Sequence, residues 1–379
     1  MRICLIGPTY PYRGGIAHYT TLLARHLRES GEHDVLLISF SRQYPGWLYR
    51  GRTDRDPSRR PVQTEAEYLL NPLNPLTWWR TLRRIEQWRP DVVVLPWWVP
   101  FWAPVWAVLG RGVRRLPGAP RLLFICHNVL PHEKGTLGQW LLPAVVRHTL
   151  APGDGFIVHA QSSAERLEAI LPEARFRVTP HPSYAALGRD REKALPVPVP
   201  EDRPLLLFAG FVRPYKGLDV LLEALPSVLA RRSVHLLAAG EFWEDVEGYR
   251  EQTAALGIAD AVTLLDAYLP DEQLAACMAA ADVVVLPYRS ATQSGVVQLA
   301  FGYQRPVITS DVDGLREAVA HEQTGLLVPP EDPAALAAAI NRFFDEDLGD
   351  AMRANIQAQA GRFSWERLSA ALLDLARPA

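Results

Sequence analysis

Four stretches of this chain carry residue types that could grip an anion or handle a proton. In Ala209-Gly210-Phe211-Val212-Arg213-Pro214-Tyr215-Lys216-Gly217, two cations stand three residues apart, just before the apolar helical pattern Leu218 to Leu229. Arg213 offers a planar fork of donors and Lys216 a point charge. With the partial positive charge of a helix start, the pair suits a diphosphate. The plainer reading is two solvated cations in a surface loop. From Val283 to Ser310 the chain reads strand, polar loop, helix, strand; Arg289 to Ser294 supplies hydroxyls, an amide and a guanidinium, and Gly295 opens the helix. Such a loop at the carboxyl end of a parallel strand is an anion site or a simple connection.

The third stretch is Gly14-Gly15, between a first strand and a first helix, where backbone amides can approach a phosphate or sugar unobstructed. A tight turn would use the same glycines, and neither the G-x-G-x-x-G fingerprint nor a Walker lysine is present. The fourth is His127, which follows the apolar run Arg121 to Cys126 in His127-Asn128-Val129-Leu130-Pro131-His132-Glu133. At a strand end it can hydrogen-bond a hydroxyl or act as acid or base, or it can be structural.

The elements that must position these groups alternate strand and helix. Arg2–Gly7, Asp34–Phe40, Asp91–Leu95, Arg121–Cys126, Gly155–His159 and Phe176–Pro180 read as buried strands. Ile16–Leu27 and Thr77–Trp88 read as helices, whereas residues 41–75 show no periodicity. Ala194 to Pro204 is proline-rich and reads as a linker. The alternation then resumes with Leu205–Phe208, Val234–Ala238, Val262–Leu265 and Val283–Leu286. The pattern predicts an α/β protein with two Rossmann-like domains.

Composition narrows the function. The 379 residues, with forty basic and forty-two acidic side chains, carry a formal charge of −2, which argues against nucleic acid and bulk electrostatic adhesion. Cys4, Cys126 and Cys277 are scattered and make no metal or disulfide framework. The stretch MRICLIGPTYPYRGG lacks the features of a signal peptide, so a cytoplasmic enzyme is expected. Trp97, Trp98, Trp102 and Trp106 cluster in a proline-broken stretch followed by arginines. An interfacial helix touching the inner face of the cell membrane is one reading, and an aromatic helix packed on the sheet is the other and is preferred.

Taken together, GGIAHYT, HNVLPHE, GFVRPYKGLDVLLEAL, LPYRSATQSGVVQLAFGYQRPVI and DGLREAV…TGLLVPPEDPAALAAAI resemble the retaining GT-B glycosyltransferases of family four. The resemblance implies two Rossmann-like domains facing each other across a cleft. Residues 1–190 would form the acceptor-side domain, with the helix 364–379 packing back on it. Residues 191–204 would be the linker and 205–363 the nucleotide-sugar domain. It further implies a hexose moved from a nucleotide-diphosphate sugar to a hydroxyl of a saccharide or lipid-linked acceptor, in surface polysaccharide or glycolipid assembly, without cofactor or metal. Arg213 and Lys216 would hold the diphosphate, Ser294 and Gly295 would cap it, and Gly14 and Gly15 would approach it. Gly210 belongs to the same phosphate loop, and His127 matches a histidine whose neighbourhood touches the transferred sugar.

The sequence departs from that family at three positions. Ala291 and Leu299 stand where two glutamates are usual, and Phe211 replaces an arginine. Gln293 and Gln298 are the neighbours that would supply neutral hydrogen bonds instead. Asp311-Val312-Asp313 has the D-x-D spacing of a metal site, but it follows a strand of the second domain and is assigned no metal. A catalytically silent nucleotide-sugar module and a GT-B sugar-nucleotide epimerase are the alternatives; no carboxylate pair for the latter stands out.

Overall fold

The computed structural model describes residues 1–49, 51–130, 141–184 and 195–377. Two compact units share the chain. Unit 1 comprises Met1–Asp56, Pro61–His181 and Ser364–Ala379, and unit 2 comprises Pro57–Arg60 and Pro182–Phe363. Pro131, His132 and Glu133 of the strand-end stretch, and residues 191–194 of the expected linker, lie outside the described residues.

Unit 1 runs β1 (Arg2–Ile6), α1 (Gly15–Glu29), β2 (Asp34–Phe40), β3 (Glu67–Leu70), α2 (Pro75–Trp88), β4 (Val92–Trp97), α3 (Ala103–Val113), β5 (Arg121–Cys126), α4 (Leu142–Leu150), β6 (Gly155–Val158), α5 (Gln161–Ile170) and β7 (Phe176–Val178). Its parallel sheet has the order β3-β2-β1-β4-β5-β6-β7. The order reverses direction beside β1, so the carboxyl ends of β1 and β4 flank a topological switch point. β3 lies in the stretch that showed no periodicity. It is a four-residue edge strand, EYLL, held by the Glu67 carboxylate accepting from Arg84 Nε at 2.8 and 3.0 Å. So short a strand leaves little alternation to read.

The tryptophan stretch packs inward. Trp97, Trp98, Trp102 and Trp106 are 1, 5, 0 and 0 % exposed, in one core cluster with Phe40, Leu95 and Phe124. Trp102 stacks on Trp106 at 5.2 Å and tilts on Phe40 at 4.5 Å. Indoles without accessible surface cannot enter a lipid interface, so the membrane contact offered as one reading for these four residues is corrected, and the preferred reading, packing on the sheet, is the one observed. Among the described residues no helix is long and apolar enough to cross a membrane.

Unit 2 runs β8 (Leu205–Ala209), α6 (Leu218–Leu229), β9 (His235–Gly240), α7 (Val246–Ala255), β10 (Val262–Asp266), α8 (Asp271–Ala280), β11 (Val283–Leu286), α9 (Gly295–Gly302), β12 (Val307–Ser310), α10 (Asp313–Ala318), β13 (Gly325–Val328), α11 (Pro333–Asp345) and α12 (Leu348–Ala358). The parallel order is β10-β9-β8-β11-β12-β13, again reversing at its first strand. Strands β8, β9 and β11 are buried at every position, which is why they read as unbroken apolar runs.

The last helix, α13 (Trp365–Ala376), belongs to unit 1. Ser364 caps it, its hydroxyl accepting from the Arg367 amide at 3.2 Å. Leu368, Leu372 and Leu375 are fully buried among Ile3, Leu5 and Leu27, on the sheet face that α1 also covers. The i, i+4, i+7 spacing supplies that apolar stripe.

Candidate functional site

In unit 2 the predicted groups gather where β8 and β11 end. Gly210 follows β8 with φ 97°, a conformation open to glycine. A Cβ there would stand 3.1 Å from Lys216 Nζ and 3.3 Å from a Val296 methyl. The bare backbone of Gly210 is therefore the floor between the lysine amine and the first turn of α9. Residues Pro214–Lys216 make one tight turn, the Lys216 amide donating to the Arg213 carbonyl at 2.9 Å. This turn carries the lysine back over the sheet. Lys216 is buried, and its amine lies 5.2 Å from the centre of the Tyr288 ring. Ser294 stands beside the phenol of the same tyrosine. The Ser294 hydroxyl also caps α9, accepting from the Val297 amide at 3.4 Å. Gly210 and Tyr288 thus join Lys216, Ser294 and the start of α9 into one wall.

Burial, and then the neighbouring Arg213 charge, lower Lys216 from 10.5 to about 7. Its positive charge is therefore weakly held in the empty site, and an anion beside it would favour the charged form. Arg213 is half-buried, its guanidinium 4.5 Å over the Trp243 ring and 5.3 Å over Tyr215. The plainer reading, two solvated cations, fits neither residue. Phe211, where an arginine is usual, packs on Trp243 at 5.3 Å and on Tyr268 at 5.7 Å. These three rings come from the loops after β8, β9 and β10, which are adjacent in the sheet.

The polar loop is less open than its sequence suggests. Arg289 is held by Asp219, with Nη1 and Nη2 donating to the two carboxylate oxygens at 3.0 and 2.6 Å, and by Glu331 at 3.0 Å. It ties the loop to the start of α6. Ala291 and Leu299 are buried, so the usual glutamate positions are filled by packing. Gln293 is half-buried; Gln298 is 3 % exposed, and its side-chain carbonyl has no hydrogen-bond partner among the described residues. Gly295 faces the Tyr184 ring, 3.4 Å from where a Cβ would sit. Asp311 pairs with Arg316 rather than standing free in a D-x-D site.

In unit 1 the predicted groups also occupy the carboxyl edge of the sheet. Gly14 caps α1 at φ 102°, ψ 167°, a region essentially closed to other residues, with no atom within 4 Å of a would-be Cβ. Gly15 opens the helix. One turn on, Tyr19 is ringed by imidazoles from three successive strand ends. His127 lies edge-on at 4.7 Å, His159 at 5.4 Å and His181 at 5.1 Å, with Trp365 at 5.4 Å. The His127 amide donates to the Trp97 carbonyl at 2.8 Å, which fixes the strand end. Burial first, then His159 and His181, hold His127 well below its ordinary pKa. Burial lowers His159 to about 4, against a bond from Nδ1 to the Thr179 carbonyl at 2.9 Å. His127 is therefore a neutral hydrogen-bonding group.

Comparison with known proteins settles the kinship. Residues 203–346 match the family described as "Glycosyl transferases group 1" and residues 14–182 the "Glycosyl transferase 4-like domain". D-inositol 3-phosphate glycosyltransferase 1 of Catenulispora acidiphila is 30 % identical over 305 residues, covering 76 % of this chain and 72 % of that one. This chain belongs to the family-four GT-B glycosyltransferases. A second relative, the D-inositol 3-phosphate glycosyltransferase of Acidothermus cellulolyticus, is 27 % identical over 97 % of this chain and 86 % of its own. Among solved structures, the sucrose-phosphate synthase of Thermosynechococcus elongatus matches with TM-score 0.71 at 21 % identity, over 99 and 98 % of the two chains. Anabaena HepE in complex with UDP matches with TM-score 0.71 at 18 % identity, over 99 % of each. These two likenesses are of fold.

This glycosyltransferase holds further residues beside the candidate site that motif reading passed over. Tyr288, Trp243, Tyr19 and His159 each pack against a predicted site residue or its partner. Tyr288, Trp243 and His159 lie within three residues of a strand's carboxyl end. That position was the available signal; the burial that gives each its role is tertiary.

Proposed function

We propose that this glycosyltransferase moves a hexose from a nucleoside diphosphate sugar to a hydroxyl of a saccharide or lipid-linked acceptor, with retention, in cytoplasmic assembly of a surface polysaccharide or glycolipid. The observation that carries the reading is the wall formed by Lys216, Gly210, Ser294 and the start of α9, with Arg213 three residues from Lys216. A buried amine of lowered pKa beside a bare backbone and a helix N-terminus is chemistry for an oxyanion. Breaking the anomeric bond leaves negative charge on the diphosphate. Donors already in place there favour the transition state over the ground state. These cations and the helix terminus supply the countercharge, so the reading needs no metal. In retention the acceptor hydroxyl attacks from the side the diphosphate leaves, and the diphosphate takes its proton. His127 and the Gly14-Gly15 backbone are assigned to the transferred sugar and the donor phosphate, and Gln293 and Gln298 to neutral hydrogen bonds with donor hydroxyls.

A thermal-shift panel of UDP, GDP, ADP and CMP tests the donor half, because a ligand of the folded state raises its melting point. One of the diphosphates should shift it and CMP should not; no shift with any of them sinks the reading. Nucleotide binding without transfer to any member of a saccharide, lipid-linked and phosphorylated-polyol acceptor set would favour the silent module. Interconversion of the free donor would favour the epimerase.

A further inference from the structure

We propose that Trp243 is the positioning residue of Arg213, and that the pair replaces the arginine that the family has at position 211. Both residues lie in unit 2, and the inference rests on the diphosphate reading above.

The chain after β8 runs extended. The Val212 amide donates to the Glu241 carbonyl at 2.9 Å, the Trp243 amide donates to the Val212 carbonyl at 3.1 Å, and Val212 pairs in parallel with Phe242. Arg213 continues that conformation, with φ −139° and ψ 153°. Side chains two residues apart on extended backbone point to the same face. Val212 is accordingly buried on one side, whereas Phe211 and Arg213, both half-buried, share the other. On that face both meet one indole. The Phe211 ring is centred 5.3 Å from that of Trp243, and the Arg213 guanidinium lies 4.5 Å over it. A guanidinium moved two residues along this loop therefore stays on its face, and Phe211 fills the vacated place as a brace for the indole. Tyr268, 5.7 Å from Phe211, backs the brace.

The indole N–H is shielded from solvent and has no acceptor among the described residues, so backbone and ring contacts place the side chain. A ring face attracts a cation through its quadrupole and leaves the charge unneutralised. The arrangement repeats one step along the loop. Arg213 also lies 5.3 Å over Tyr215, which packs edge-on against Tyr288 at 6.1 Å, and the Lys216 amine lies 5.2 Å over Tyr288. Arg213 and Lys216 repel each other, and the Arg213 charge helps to lower Lys216. Rings hold each cation against that repulsion without offsetting its charge.

Melting-point titrations of the full chain with inorganic pyrophosphate and with UDP test the assignment, each variant being read against its own unliganded melt. Trp243→Leu should weaken binding by about tenfold, whereas Trp243→Phe, which keeps a ring face, should stay within about threefold of the parent. In an Arg213→Ala background Trp243→Leu should change affinity by less than about twofold, because the indole acts through the guanidinium. Should Trp243→Leu not fold, Phe211→Leu carries the same cycle, with a loss of about threefold expected in the parent and none in the Arg213→Ala background. Equal losses in the two backgrounds would make these rings packing residues and overturn the proposal. So would Trp243→Leu binding like the parent, or Trp243→Phe losing as much as Trp243→Leu. A parent that binds neither pyrophosphate nor UDP removes the diphosphate reading and this inference with it. A parent that binds, with no coupling in the cycle, removes this inference alone.

Discussion

Replacing Lys216 with Met should stabilise the empty protein and shrink the further stabilisation that a bound nucleotide adds. Burial and Arg213 bring the lysine from 10.5 to about 7. The folded state then binds fewer protons than the unfolded chain between pH 7 and 10.5. Stability rises with pH across that window, and the cost of the buried amine is fully present below it. Roughly three and a half pH units at 1.36 kcal/mol each set that cost at up to about 5 kcal/mol. Methionine keeps the stem and removes the charge. At pH 7 the apo variant should melt about 5 °C or more above the parent, since 1 kcal/mol moves a unit of this size by about 2–4 °C. The difference should shrink towards pH 10. The further shift added by a nucleoside diphosphate should shrink. A charge-assisted hydrogen bond contributes about 1.5–3 kcal/mol, so affinity should fall roughly 10- to 150-fold. Calorimetric melts with and without nucleotide at pH 7 and 9.5 read both effects. A variant that melts at or below the parent while keeping the full ligand shift would refute the reasoning.

Other expectations follow from the same geometry. Lys216→Ala should cut transfer by on the order of 100-fold, as when a transition-state donor is removed; a rate near the parent's would exclude Lys216 from the role. Burial lowers His159 to a pKa of about 4, so unit 1 should lose stability as pH falls from 6.5 towards 4, where the unfolded imidazole binds the proton first. His159→Phe should flatten that slope in acid melts. Trp102→Ala removes a fully buried indole and should cost about 3–5 kcal/mol in urea unfolding. Asp219→Asn leaves Arg289 without its two-oxygen partner and should raise KM for the donor more than it lowers kcat, because the loop before Ser294 loosens.

Much of the architecture was written in the chain itself. Strands buried on both faces must be largely apolar, so β1, β2, β5, β8 and β11 announced themselves, and parallel pairing followed from the helices between them. The candidate site positions were chosen by the same route, since strand ends in such sheets are where loops meet ligands. Folding decided what each residue does there. Arg289 looked like a ligand for anions, but Asp219 from another helix claims it. In sequence Lys216 fitted a diphosphate ligand or a solvated surface cation alike; the closing of the chain over it buried the amine, and burial rather than sequence sets its pKa. Four tryptophans that could have met lipid or packed on the sheet went into the core, while Leu76 and Trp79 stayed outside. Local pattern constrains the backbone through steric and solvent preferences acting residue by residue. Burial, charge pairing and exposure depend on which distant elements arrive, and only the packed structure specifies that.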